Sequence, residues 1–168
     1  TSKKIIKPLM NMPISEVYNM DCLEYMRSLP DKHFDLCIAD PDYGLDKKIS
    51  GGGTWAAKYK GFDGCLGGKP SKELISEIIR VSKNQIIWGG NYFIDMLYPT
   101  RCFLIWDKKA RLETLADCEM AWTSFDKGVK LYKHLWNGMS REGNRTDEGK
   151  TRVHPTQKPV GMLQKILE

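Results

Sequence analysis

No apolar run in this sequence approaches the roughly 20 residues that a membrane-spanning helix needs, and none reads as a signal-peptide core. No two of its five cysteines, Cys22, Cys37, Cys65, Cys102 and Cys118, stand as C-x-x-C. That argues against a zinc site, and no metal is expected. An odd number of cysteines without a leader predicts a reducing, cytoplasmic setting. The phosphate-cradling pattern G-x-x-x-x-G-K-[ST] is absent, which makes a P-loop nucleotide site a poor reading. There is no internal repeat and no long low-complexity tract. What remains is an ordinary globular composition. The 168 residues are 41% hydrophobic and 28% charged, with a net charge of +5. That length suffices for one domain with a core, and the mild basicity permits a polyanionic partner.

The run Phe34-Asp35-Leu36-Cys37-Ile38-Ala39 has the length and residue types of a buried strand. It stops at Asp40-Pro41-Asp42-Tyr43-Gly44. Pro41 fixes its own φ and biases Asp40 toward extended backbone, while Gly44 permits a sharp departure. Asp40 and Tyr43 are therefore expected to face one pocket, at the strand end where open α/β sheets bind ligands.

Around this corner the sequence alternates strand and helix patterns. Residues 16–20 read as a short strand, followed by Asp21 and a short helix that Pro30 stops. Asp21 suits a helix cap as well as a second carboxylate at a strand end. Residues 71–82 form the clearest helix pattern, with Ser71 as cap and Leu74, Ile75, Ile78 and Ile79 on one face. A strand over 85–88 ends in Gly89-Gly90-Asn91, and a helix is expected over 92–97. Two more strands, 101–106 and 118–125, lack a full crossover helix between them and should pair antiparallel. Glu119 and Trp122 give the second of them a mixed face. Residues 129–135 alternate weakly, and Leu163, Ile166 and Leu167 mark a last amphipathic helix. The whole predicts a single α/β domain over 1–168 with a right-handed, mostly parallel sheet.

Two segments carry basic groups. Residues 44–70 combine glycine runs with Lys47, Lys48, Lys58 and Lys60 and the aromatics Trp55, Tyr59 and Phe62. A mobile loop of that kind can follow a nucleic-acid backbone and stack on bases. Residues 126–153 include Arg141 and Arg145, suited to phosphate contacts, in a short candidate target-recognition segment.

Asp40-Pro41-Asp42-Tyr43 resembles the Asp-Pro-Pro-Tyr signature of the amino-methylating (adenine-N6 and cytosine-N4) DNA methyltransferases, with Asp42 in place of the second proline. His154-Pro155-Thr156-Gln157-Lys158-Pro159 resembles the segment that precedes the cofactor-binding strand where the catalytic motif comes first. The runs 86–93 and 119–125 are similar to the phage and prophage adenine-methylase branch. The resemblance implies a Rossmann-like, S-adenosylmethionine-dependent methyltransferase sheet with an antiparallel pair at one edge. It implies methyl transfer to the N6 amine of an adenine flipped out of double-stranded DNA. The acid at position 40 favours adenine, since cytosine-N4 relatives usually carry Ser there. Asp40, Pro41 and Tyr43 would be catalytic. Asp21, Cys22 and Asp40 would lie toward the cofactor, and Thr156, Gln157 and Lys158 at its methionine end. Restriction–modification is a setting for such enzymes, and a homodimer is one option for assembly.

Two departures temper that reading. Asp42 should leave the corner looser and more acidic than a second proline would. The family's glycine-rich cofactor turn, F-x-G-x-G, occurs nowhere in the sequence, which ends at Glu168. The chain therefore reads as lacking its C-terminal cofactor-binding strands. A cytosine-N4 methyltransferase and a catalytically inactive DNA-binding remnant are the alternative readings.

Overall fold

A computed structural model describes residues 15–44, 68–109, 116–137, 140–142 and 157–168. Within them lie α1 (Cys22–Arg27), β1 (Phe34–Ala39), α2 (Lys72–Val81), β2 (Ser82–Trp88), β3 (Phe103–Asp107), β4 (Cys118–Thr123) and β5 (Lys130–Lys133). A two-stranded ribbon, β6 (Trp136–Asn137) and β7 (Ser140–Arg141), and α3 (Val160–Leu167) follow. The main sheet has the order β1-β2-β4-β3-β5. Its pairs β1–β2 and β3–β5 are parallel, whereas β2–β4 and β3–β4 are antiparallel. Within this sheet every strand thus points one way except β4.

Alternation along the central strands builds two apolar layers. On one face Ile86 and Trp88 of β2, Leu104 and Trp106 of β3 and Ala121 of β4 meet Met162 of α3. On the other, Ile87 and Trp122 meet Met26 of α1 and Ile75, Ile78 and Val81 of α2. Helices therefore cover both faces, and β2 is buried on each side, as an interior strand of such a sheet should be. Ser71 caps α2 by accepting from the Leu74 N–H at 3.1 Å. Arg80, late in α2, donates to the Met26 and Leu29 carbonyls at 2.8 and 2.9 Å, so the exit of α1 is tied to α2.

The structure corrects four expectations. Residues 16–20 form no strand and are exposed, with Val17 94% accessible. A strand needs a partner, and none of the described strands pairs with this segment. The helix expected over 92–97 is only a 3-10 turn, Gly90–Tyr92, followed by further turns. Phe93 is wholly buried there, and seating it in the core outweighs helical continuation. β1 is a border of the described sheet rather than an interior strand, and its Ile38 is 39% exposed. The antiparallel element likewise is not an edge pair. β4 is inserted between β2 and β3, and β5 lies beyond them.

Candidate functional site

The alternating directions bring the carboxyl ends of β1, β2 and β3 to the same border as the amino end of β4. Asp40 and Tyr43 follow β1, Gly89 follows β2, Lys108 follows β3 and Glu119 opens β4. Lys158 arrives from the segment that enters α3. Its ammonium lies 2.9 and 2.8 Å from the two Asp40 carboxylate oxygens and 3.1 Å from the Tyr43 hydroxyl. It lies 3.0 Å from Glu119 Oε2. The other oxygen of Glu119 meets the Lys108 ammonium at 2.6 Å. The Tyr43 hydroxyl donates to Asp40 Oδ1 at 2.9 Å, with Glu119 Oε2 at 3.4 Å. Two carboxylates and two ammonium groups thus balance in charge around one phenol.

Burial sets the strength of this set. The Lys158 side chain is 10% exposed and that of Glu119 21%. Burial pushes the Glu119 carboxyl up, but Lys158 and Lys108 outweigh it and hold the group below the usual range. Burial, followed by the Asp40 and Glu119 charges, drives the Tyr43 hydroxyl far above an ordinary tyrosine, so the phenol stays protonated and donates. The lysine ammonium also lies 5.5 Å from the ring centres of both Tyr43 and Trp88.

Gly89 lets the aromatic corner close. Its φ is +71°, and a β-carbon there would stand 2.3 Å from the Tyr43 ring. Only glycine fits both demands. The Tyr43 ring in turn stacks on Tyr92, with centroids 5.1 Å apart and planes 19° from parallel. Here one face is taken by Tyr92, which is 37% exposed and carries the aromatic surface outward.

Asp42 acts against the expectation of a looser corner. Its Oδ1 accepts from the Gly44 N–H at 3.0 Å and its Oδ2 from the Gly68 N–H at 3.2 Å. One carboxylate closes a local turn and ties it to the chain returning from 45–67. It supplies by hydrogen bonding the restraint that a second proline would supply covalently.

Asp21 is a helix cap. Its Oδ1 accepts from the Leu23 and Glu24 N–H groups at 2.7 and 3.2 Å, while its other oxygen takes neither bond. Cys22 is exposed beside it. Pro41 is half-buried in the corner. Gln157 is half-buried next to Lys158. Thr156, Lys47, Lys48, Lys58, Lys60 and Arg145 lie outside the described residues, as do 45–67 of the expected basic loop. Arg141 belongs to β7. Sequence reasoning missed Glu119 and Lys108. A lone Glu in a strand of mixed pattern was the available signal for the first. The Asp-Lys-Lys run that ends the preceding strand was the signal for the second.

Among the described residues, no group of three or more His, Cys, Asp and Glu is placed to hold a metal. None of their helices is long and apolar enough to cross a membrane. The Lys158 ammonium itself shows that a positive group sits between two carboxylates and two aromatic faces here. No protein-family model matches the chain.

The chain is similar to a Type II methyltransferase. Over 89 residues it is 35% identical to the Type II methyltransferase M.BamHI of Bacillus amyloliquefaciens. That stretch is 53% of this chain and 19% of the methyltransferase's length.

Proposed function

We propose that the protein is a DNA methyltransferase that transfers a methyl group from S-adenosylmethionine to the N6 amine of an adenine flipped out of duplex DNA. One observation carries the reading. A strand-end acid and tyrosine, Asp40 and Tyr43, share one site with Lys158 from the far end of the chain. The similarity to a methyltransferase supports it.

An adenine amine is a weak nucleophile because its lone pair is delocalised into the ring. Asp40 and the Pro41 carbonyl accept hydrogen bonds from the amine, localise the lone pair and aim it. The Asp40 charge also stabilises the positive charge that develops on nitrogen. The base must leave the duplex to reach this corner. The Tyr43–Tyr92 stack offers it an aromatic face. S-adenosylmethionine supplies the electrophilic methyl group. Asp21, Cys22, Gln157 and Lys158 would border it, and Thr156 would complete its methionine end. Lys47, Lys48, Lys58, Lys60, Arg141 and Arg145 are the proposed phosphate contacts, held by charge and therefore salt-sensitive.

The test is methyl transfer from labelled S-adenosylmethionine to unmethylated duplex DNA by the full-length protein, followed by nucleoside analysis. N6-methyladenine in the wild type, lost in Asp40→Ala with the fold intact, is the expected result. N4-methylcytosine would reassign the target base. DNA binding without any transfer would replace the reading with a non-catalytic DNA-binding protein.

A further inference from the structure

Lys158 offers Asp40 the same kind of N–H donors that an exocyclic amine would offer. Both Asp40 oxygens are within 2.9 Å of its ammonium. An amine that takes up the position Lys158 now holds on Asp40 must displace the ammonium. A bare release of a nearly buried ammonium would be costly, because an unpaired charge in such a place loses its solvation without compensation. The structure supplies a second holder. Glu119 Oε2 lies 3.0 Å from the same ammonium, and the Trp88 ring lies beneath it. Lys108 fixes the other Glu119 oxygen at 2.6 Å. Glu119 is thereby aimed from the opposite strand, independently of Asp40.

We propose that Glu119 is a positioning residue that retains Lys158 when a substrate amine takes over Asp40, and that Lys158 is a built-in occupant of the amine site. The proposal rests on the reading of Asp40 as the acceptor of the target amine. Before the base arrives, the ammonium bridges Asp40 and Glu119 and keeps both carboxylates paired. When the amine binds, Lys158 stays on Glu119, so no charge is stranded. No bond is made or broken in this exchange. Without the Glu119 charge, Lys158 has Asp40 as its sole carboxylate among the described residues and competes harder with the amine.

Two measurements on the full-length protein test this. The first needs no activity. The Lys158 ammonium signal is followed by proton–nitrogen NMR and assigned by its loss in Lys158→Met. It should persist in slow exchange in Asp40→Asn, because Glu119 still holds the group. Loss of the signal in that variant overturns the proposal. The second is steady-state methylation of unmethylated genomic duplex DNA. Glu119→Gln should raise KM for DNA several-fold with a smaller change in kcat. Adding Lys158→Met to Glu119→Gln should bring KM for DNA back down, because the competitor is gone. An unchanged KM in Glu119→Gln, or losses that simply add in the double variant, overturns the proposal while the methyltransferase reading stands. A wild type that transfers no methyl group removes the methyltransferase reading itself, and the proposal with it.

Discussion

The Lys158 ammonium lies 2.8 Å from an Asp40 carboxylate oxygen across 118 positions of sequence. This contact joins the end of β1 to the segment that enters α3 at the mouth of the sheet. It makes the acid, the tyrosine and Glu119 one electrostatic unit.

Gly89→Ala should dislodge the Tyr43 ring. The backbone there is left-handed and the added carbon would meet the ring at 2.3 Å. Strain of this kind costs about 1–3 kcal/mol before any displacement of Tyr43 is counted. Urea unfolding should show at least that loss, and the methyl transfer proposed above should fall as Tyr43 shifts.

Asp42→Ala should loosen the corner. It removes two hydrogen bonds to the Gly44 and Gly68 N–H groups, each exposed and worth about 0.5–1 kcal/mol. The folded core should survive, while hydrogen exchange at the Gly44 and Gly68 amides accelerates. Unchanged exchange at both would show that the carboxylate does not restrain the turn in solution.

Acid should weaken the protein through Glu119. Its folded-state carboxyl titrates below the ordinary 4.5 because of Lys158 and Lys108, despite the opposing effect of burial. The unfolded chain therefore binds more protons in that window. The contribution is complete above the unfolded value and is lost as pH falls through the lowered folded one. Thermal unfolding of the wild type should lose more stability on acidification than that of Glu119→Gln.

Alkali should reveal Tyr43 by its silence. Burial and the two neighbouring carboxylates raise its hydroxyl well above 10.0, so the folded protein keeps a proton that the unfolded chain releases. Its stabilising effect is complete below the unfolded value and declines as pH rises beyond it. Ultraviolet titration of the folded wild type and Tyr43→Phe should give matching tyrosinate signals up to the ordinary tyrosine range. A signal missing from the variant there would contradict the enclosure of Tyr43.

The buried tryptophans should respond unequally to replacement by phenylalanine. Trp106 donates to the His134 carbonyl at 2.9 Å, whereas the buried Trp88 Nε1 has no hydrogen-bond partner among the described residues. Trp106→Phe strands an acceptor and loses a bond. Trp88→Phe removes an unsatisfied donor, which offsets part of the packing loss. The difference should be about 1–3 kcal/mol in favour of Trp88→Phe, read from denaturant midpoints.

Local chemistry made part of this protein legible in its sequence. The apolar face and serine cap of α2 follow from residues within a few positions of each other, as does the capping role weighed for Asp21. The β1 run and its abrupt end at Asp40-Pro41 likewise marked the site border. The antiparallel pairing of β3 and β4 followed from the short connection between them. Tertiary structure alone decided the rest. β4 enters between β2 and β3, which no local pattern specifies, because strand order is set by which faces bury each other. That insertion brings Glu119 to the mouth beside Asp40. Burial of Phe93 overrode the helical pattern after Tyr92. Lys158, expected at a cofactor's methionine end, lies on Asp40 and Glu119. An ammonium with little access to water must find its counter-charges inside the protein, and only the folded chain puts them within reach.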